Sequence, residues 1–383
     1  MKPSVVSILS FSLFFLSQYF SISPSERCNP NDKKTLLEIK KGLGNPYNLI
    51  TWDPKTDCCI DWNQYTLSCD DKTNRVIGLF LFKIDDAGHI SPAIGDLPYL
   101  QRLDFNNVRN LSGPIPPTIT KLSELTFLRI SQTNISGLVP DFLSKLKNVT
   151  YINLSYNNLI GTIPPSLSEL SNLEFLRLDR NKLTGPIPES LSKLASKLTY
   201  LHLGHNQLTG VVPTSFAGWS FNNTLDLSRN MLQGDISFLF GKDKTTFEMI
   251  LDRNKFEFDF SKLTFGESLS RLDLNHNKIY GSLPTALTKQ SWQLFNVSYN
   301  RLCGKIPQGG SMQRWIVFEF HKYLTHSREF SWLSGLGSLV DNDRCLVLLI
   351  LLSFLFMESK SDPFGPTNLD LHRRKPTMEM KET

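Results

Sequence analysis

Three observations predict an α/β protein, a right-handed solenoid of about ten leucine-rich repeats with a parallel concave β-sheet and an N-terminal disulfide cap. A frame of the form L-x-x-L-x-L-x-x-N-x-L recurs, clearest from Ile152 to Pro164 and again from Leu176 to Pro188. Its Asn falls at Asn157, Asn181, Asn206, Asn230, Asn254, Asn277 and Asn300, at spacings of 23 to 25 residues, and Thr133 holds the same slot upstream. Most frames are followed by a Gly such as Gly161, Gly185 or Gly210 and then a Pro such as Pro164, Pro188 or Pro213. Four cysteines, Cys28, Cys58, Cys59 and Cys69, cluster ahead of the first repeat. A unit this short buries too little apolar surface to fold alone and must stack on its neighbours.

The chain of 383 residues begins with Lys2 and an almost wholly apolar stretch from Val5 to Phe20. Small residues follow, which predicts a cleaved signal peptide over roughly residues 1–25. Residues 26–75 then form the cap. Asn31 to Lys41 has helical spacing, with Asn31 or Asp32 as the N-cap and Leu36, Leu37, Ile39 and Leu43 facing inward. Secretion permits disulfides. Adjacent Cys58 and Cys59 are expected to point apart and to reach different partners, and the pairing expected is Cys28 with Cys58 and Cys59 with Cys69.

Residues 76–314 carry the repeats. Alternate Leu and Ile make a short strand with one face in the core, and the Asn amide can satisfy backbone groups where the chain turns away. With the Asn as position zero, positions −3 and −5 point inward, and −6, −4, −2 and −1 are expected to point outward or lie on the strand edge. Position −6 then reads Phe127, Tyr151, Phe175, Tyr200, an aromatic column on neighbouring strands that should stack and offer contact area. Position −1 gives a basic column of Arg180, His205, Arg229, Arg253 and His276. Position −4 supplies Arg129, Arg177, His202, Asp226 and Asp273, and position −2 supplies Asp179 and Asp252. This mixture suits a protein partner with mixed charges, or an acidic polysaccharide lying along the arginines.

Enzymatic chemistry finds little support. His202, Asp226 and Ser228 could be assembled on paper into a triad, but Ser131, Ser155 and Ser298 occupy the same frame position, and no nucleophile elbow precedes any of them. His202 and His205 lack a Cys or carboxylate at a recognised metal spacing, so no metal and no cofactor are expected. The net charge of +5 is mild and no dense Lys/Arg run interrupts the repeats, which argues against nucleic acid as a partner. Sequons at Asn110, Asn134, Asn148, Asn153, Asn222 and Asn296 are glycan sites in expectation, although Asn153 and Asn296 fall on strands of the concave face.

Cys28-Asn29-Pro30 leading to Leu36-Leu37-Glu38-Ile39-Lys40-Lys41, and the Trp52, Cys58-Cys59, Trp62, Cys69 cap, form a specific pattern. It resembles that of the polygalacturonase-inhibiting proteins among plant extracellular leucine-rich-repeat proteins. Leu178 to Gly185 and Val297 to Gly304 extend the likeness, which covers roughly Glu26 to Gln313. The resemblance implies a secreted cell-wall defence protein that blocks fungal or insect polygalacturonases, with pectin as a further ligand.

The resemblance stops near Arg314, where that family closes with a second cysteine-rich cap. Residues 315–383 form a divergent tail in which Cys303 has Cys345 as its prospective partner. An apolar run, residues 345–357, is 13 residues long, short of the roughly 17 to 25 needed to span a bilayer. A receptor-like membrane protein remains the alternative reading. The last repeat presents Phe295, Val297 and Leu302 toward a missing neighbour, and the apolar run, drawn against that end by Cys345, is expected to leave a sticky patch instead of a cap.

Overall fold

The computed structural model describes residues 27–305 except 63, 86 and 220–223, together with 307, 351 and 352. Its spine is a sheet of 12 strands. Leu67–Cys69 lies antiparallel to Val76–Phe82. Parallel neighbours follow, one per repeat: Arg102–Asn106, Phe127–Ser131, Tyr151–Asn153, Phe175–Arg177, Tyr200–His202, Thr224–Asp226, Glu248–Ile250, Arg271–Asp273 and Leu294–Asn296. The pairing is strictly in frame, with Tyr151 opposite Phe175 and Phe175 opposite Tyr200, so equivalent side chains of successive repeats sit beside one another.

Each turn then passes through the ladder Asn. The Asn181 Nδ2 donates to the carbonyls of Leu154 at 2.9 Å, Leu178 at 3.1 Å and Asp179 at 3.3 Å, and its Oδ1 accepts from Leu159 N–H at 3.0 Å. One amide thereby satisfies the turn of its own repeat and stitches it to the repeat before. Asn157, Asn206, Asn230, Asn254, Asn277 and Asn300 repeat the arrangement. Thr133 substitutes with a hydroxyl that donates to Asn157 Oδ1 at 2.5 Å.

Beyond the turn runs a second sheet of 7 strands, Ser112–Gly113 to Lys255–Phe256 in sequence. Gly161 and Gly185 end their strands at φ +76° and +74°, a region costly for residues with a Cβ. Pro140, Pro164, Pro188, Pro213 and Pro284 then bring the chain into short 3₁₀ turns on the convex side, each at φ between −58° and −75° with extended ψ. The frame Leu and Ile residues are buried in one continuous core, Leu176, Leu178 and Leu183 among them.

The cap corrects one sequence expectation. The helix spans Pro30–Gly42, and its N-cap is Asn29, whose Oδ1 accepts from Asn31 N–H at 3.0 Å and Asp32 N–H at 3.4 Å. Pro30 presets the first helical φ, which moves the start ahead of Asn31. Asp32 is instead fully buried and holds the Arg75 guanidinium through two bonds of 2.9 and 2.7 Å, while accepting from Val76 N–H at 2.9 Å. The helix is thereby fastened to the first inner strand. Cys28 is bonded to Cys58 and Cys59 to Cys69, with Cα separations of 5.3 and 5.8 Å. Trp52 stacks on Trp62 at 5.0 Å beneath these bridges.

The far end is described only in part. Phe295, Val297 and Leu302 are buried, with the Trp292 ring 4.9 Å from Phe295. Leu351 and Leu352 pair antiparallel with Asn296 and Phe295. Cys345, the remainder of the apolar run and the stretch expected to be a signal peptide lie outside the described residues.

Candidate functional site

The concave face sorts the sequence-derived columns into locked and free groups. The aromatic column does stack. Phe127 to Tyr151 is 4.2 Å between ring centres, Tyr151 to Phe175 is 4.3 Å, both within 10° of coplanar, and Tyr200 follows at 5.0 Å with a 46° tilt. Arg102 covers the open face of Phe127 at 4.3 Å. The rings therefore spend their faces on one another and stand half-buried. They stiffen the N-terminal half of the sheet and offer edges to a ligand rather than flat platforms.

Positions −4 and −2 behave as coupled pairs, which corrects the expectation that both are open contact positions. Ser155 Oγ donates to Asn153 Oδ1 at 2.7 Å, Ser228 Oγ to Asp226 Oδ1 at 2.7 Å, and Ser298 Oγ to Asn296 Oδ1 at 2.7 Å. Arg177 makes the same link with charge, donating to Asp179 at 2.8 and 3.2 Å. Asp179 and Asp252 are buried. From Tyr151–Asn153 onward the strand ends at position −4, so the −2 side chain folds back beside the sheet instead of pointing away from it. Arg129 is likewise committed, clasping Asp104 through two bonds of 2.6 Å.

These contacts decide two further readings. Ser228 bonds Asp226 and not His202, whose buried Nε2 has no hydrogen-bond partner in the described structure, so the three do not form a relay. Burial, with Arg177 beside it, holds the His202 imidazole below its ordinary pKa. Among the sequons, Asn153 and Asn296 are 5% and 6% exposed, their Nδ2 groups donating to Tyr151 Oη and Asp273 Oδ2, each at 3.3 Å. Asn110, Asn134 and Asn148 are exposed. Asn222 lies outside the described residues.

What stays exposed is the basic column, with Arg229 and Arg253 at 3.9 and 3.8 Å from the Asp252 carboxylate. Arg180, Arg229 and Arg253 are exposed and His205 and His276 half-exposed. All five sit at φ between +51° and +55°, in the turn that carries the chain off the sheet. This left-handed kink lifts each side chain above the strand plane, so the column forms the rim of the concavity. Sequence reading missed Tyr156 and Tyr299 in the same column. Arg180 lies over Tyr156 at 4.8 Å, and Tyr299 stacks on His276 at 3.9 Å. Counting the frame one repeat either side of the basic run would have found both.

A parallel sheet with hydrogen-bonded inner columns and an exposed charged rim defines a leucine-rich-repeat solenoid. Leucine rich repeat models match residues 123–183, 197–219 and 268–289, and a Leucine rich repeat N-terminal domain model matches residues 29–64. A polygalacturonase inhibitor from Pyrus communis is 55% identical over 77% of this chain and 88% of its own length. Polygalacturonase inhibitor 1 from Arabidopsis thaliana is 56% identical over 77% and 88%. The solved structure of a plant ice-binding protein superposes with a TM-score of 0.73 at 47% identity, covering 76% of this chain and 93% of that one. The chain belongs to the polygalacturonase-inhibitor family of leucine-rich-repeat proteins.

Proposed function

We propose that the protein is a secreted cell-wall defence protein that binds polygalacturonases of fungi or insects through its concave face and blocks their access to pectin. The observation that carries this reading is the exposed rim of Arg180, Arg229 and Arg253 on a face where Arg129, Arg177 and Arg271 are tied to carboxylates, in a chain about 55% identical to named inhibitors. Arginine is the cation suited to bidentate contact with carboxylates, so an acidic patch on the enzyme or a galacturonate chain can meet this rim. Binding needs no catalytic group of its own. Glycans at Asn110, Asn134 and Asn148 leave the concave strands clear, since none of the three lies on that sheet. No helix among the described residues is long and apolar enough to cross a membrane.

The test is inhibition by the purified chain from Glu26 onward against a panel of fungal and insect polygalacturonases, read as reducing sugar released from polygalacturonate. Inhibition of at least one enzyme at sub-micromolar concentration is expected. Absence of inhibition across the panel, with the protein retained in membrane pellets after a carbonate wash, would favour the receptor-like alternative.

A further inference from the structure

The rim arginines surround one carboxylate that lacks the support its neighbours have. Asp226 accepts from Ser228 N–H and Oγ, and Asp273 accepts from Asn275 N–H, from Asn275 Nδ2 and from Asn296 Nδ2. Both sit at position −4, where the position −2 residue supplies donors. Asp252 sits at position −2 with Ile250 at −4, so the pair is inverted and no donor comes from the partner position. Its side chain is 10% exposed and, among the described residues, is approached by Arg229 Nε at 3.9 Å and Arg253 Nε at 3.8 Å, with no hydrogen bond shorter than these. Those two guanidinium groups are 48% and 46% exposed.

We infer that Asp252 is a proton switch that sets the charge of the rim, so that a carboxylate-bearing ligand binds the Arg229 and Arg253 pair more strongly in acid than at neutral pH. This rests on the concave face being the contact surface. Ionised, Asp252 draws both arginines inward and cancels part of their charge; protonated, it releases them to the ligand. The groups facing it are Asp226, Ser228 and Arg229 from the preceding repeat, Arg253 on its own turn, and Asp273, Asn275 and His276 from the following one. Burial, reinforced by the neighbouring Asp273, pushes the Asp252 carboxyl up to about 6. Burial and the adjacent arginines hold His205 and His276 below the ordinary imidazole range, so these rings gain charge later in the same descent and add to the effect. The device reads acidity across the range where carboxylates of a galacturonate ligand stay ionised.

The experiment measures affinity for purified decagalacturonate from about pH 4.5 to about pH 7.5 at constant ionic strength, for the native chain, Asp252→Asn and the Arg229→Ala/Arg253→Ala double variant. The native protein is expected to bind about tenfold more tightly at the acid end. Asp252→Asn is expected to bind tightly throughout, keeping only the smaller rise due to the histidines, and the double variant to lose binding at every pH. Thermal melting of each variant checks its fold. If Asp252→Asn follows the native pH profile while the double variant loses binding, the switch is overturned and the rim keeps its role. Undiminished binding by the double variant would overturn the contact surface and the switch together, and so would no binding by the native chain at any pH.

Discussion

The Arg180 guanidinium lies 4.8 Å from the centre of the Tyr156 ring, one repeat earlier at the same point of the turn. The contact holds the arginine upright on the rim without neutralising it, unlike the carboxylate pairs that bind Arg129 and Arg177 to the sheet. Arg180→Ala is expected to weaken a polygalacturonase complex by about 1 to 2 kcal/mol, and Tyr156→Ala by less, through loss of that support. Surface plasmon resonance with an inhibited enzyme checks both. A Tyr156→Ala effect larger than that of Arg180→Ala would mean the ring itself is the contact.

Stability should be concentrated in the ladder and core. Asn181→Ala removes four hydrogen bonds and takes the acceptor from Leu159 N–H, while the Leu154, Leu178 and Asp179 carbonyls each keep one other donor, and it is expected to cost about 2 to 4 kcal/mol. Leu178→Ala removes a fully buried side chain and is expected to cost about 2 to 5 kcal/mol. Denaturant unfolding measures each, and binding by the surviving folded fraction should be unchanged.

The cap depends on one buried ion pair. Arg75→Ala strands Asp32, whose side chain is 1% exposed, and is expected to destabilise the cap by about 3 kcal/mol. Replacing both residues with apolar ones of similar size should recover much of this. Melting of the three proteins decides it, and equal melting for native and Arg75→Ala would show that the disulfides alone hold the helix.

Asp252 gives stability its own pH signature. Its folded-state value of about 6 stands above the ordinary 3.8, so the folded protein holds this proton more tightly than the unfolded chain does. The burden is carried above about pH 6 and fades as pH falls towards the ordinary carboxylate value. Asp252→Asn should therefore raise stability by about 1 kcal/mol at neutral pH, discounted for residual solvent access, and by almost nothing near pH 4. An equal gain at both pH values would show that the carboxylate is not strained by its surroundings.

The frame of Leu and Asn was fully legible, because its spacing dictates both the inward face and the ladder bonds. So was the stacking of Phe127, Tyr151, Phe175 and Tyr200, which follows from register alone. What the spacing did not convey was that strands from Tyr151–Asn153 onward end at position −4. The side chains of Asp179, Ser228 and Asp252 consequently fold beside the sheet, and two columns read as open are paired. Asp32 illustrates the same limit. Its acid type at a helix start suited an N-cap, yet a partner 43 residues away at Arg75 claims it, and local pattern cannot reveal that distance.

The central claim, that the arginine rim of the concave face holds the enzyme, is tested most directly by the affinity of an inhibited polygalacturonase for the Arg180→Ala/Arg229→Ala/Arg253→Ala triple variant. Isothermal titration against the native chain, with melting to confirm the fold, should show a loss of at least about a hundredfold. An affinity within about twofold of native for a fully folded triple variant would place the contact surface elsewhere and contradict the account.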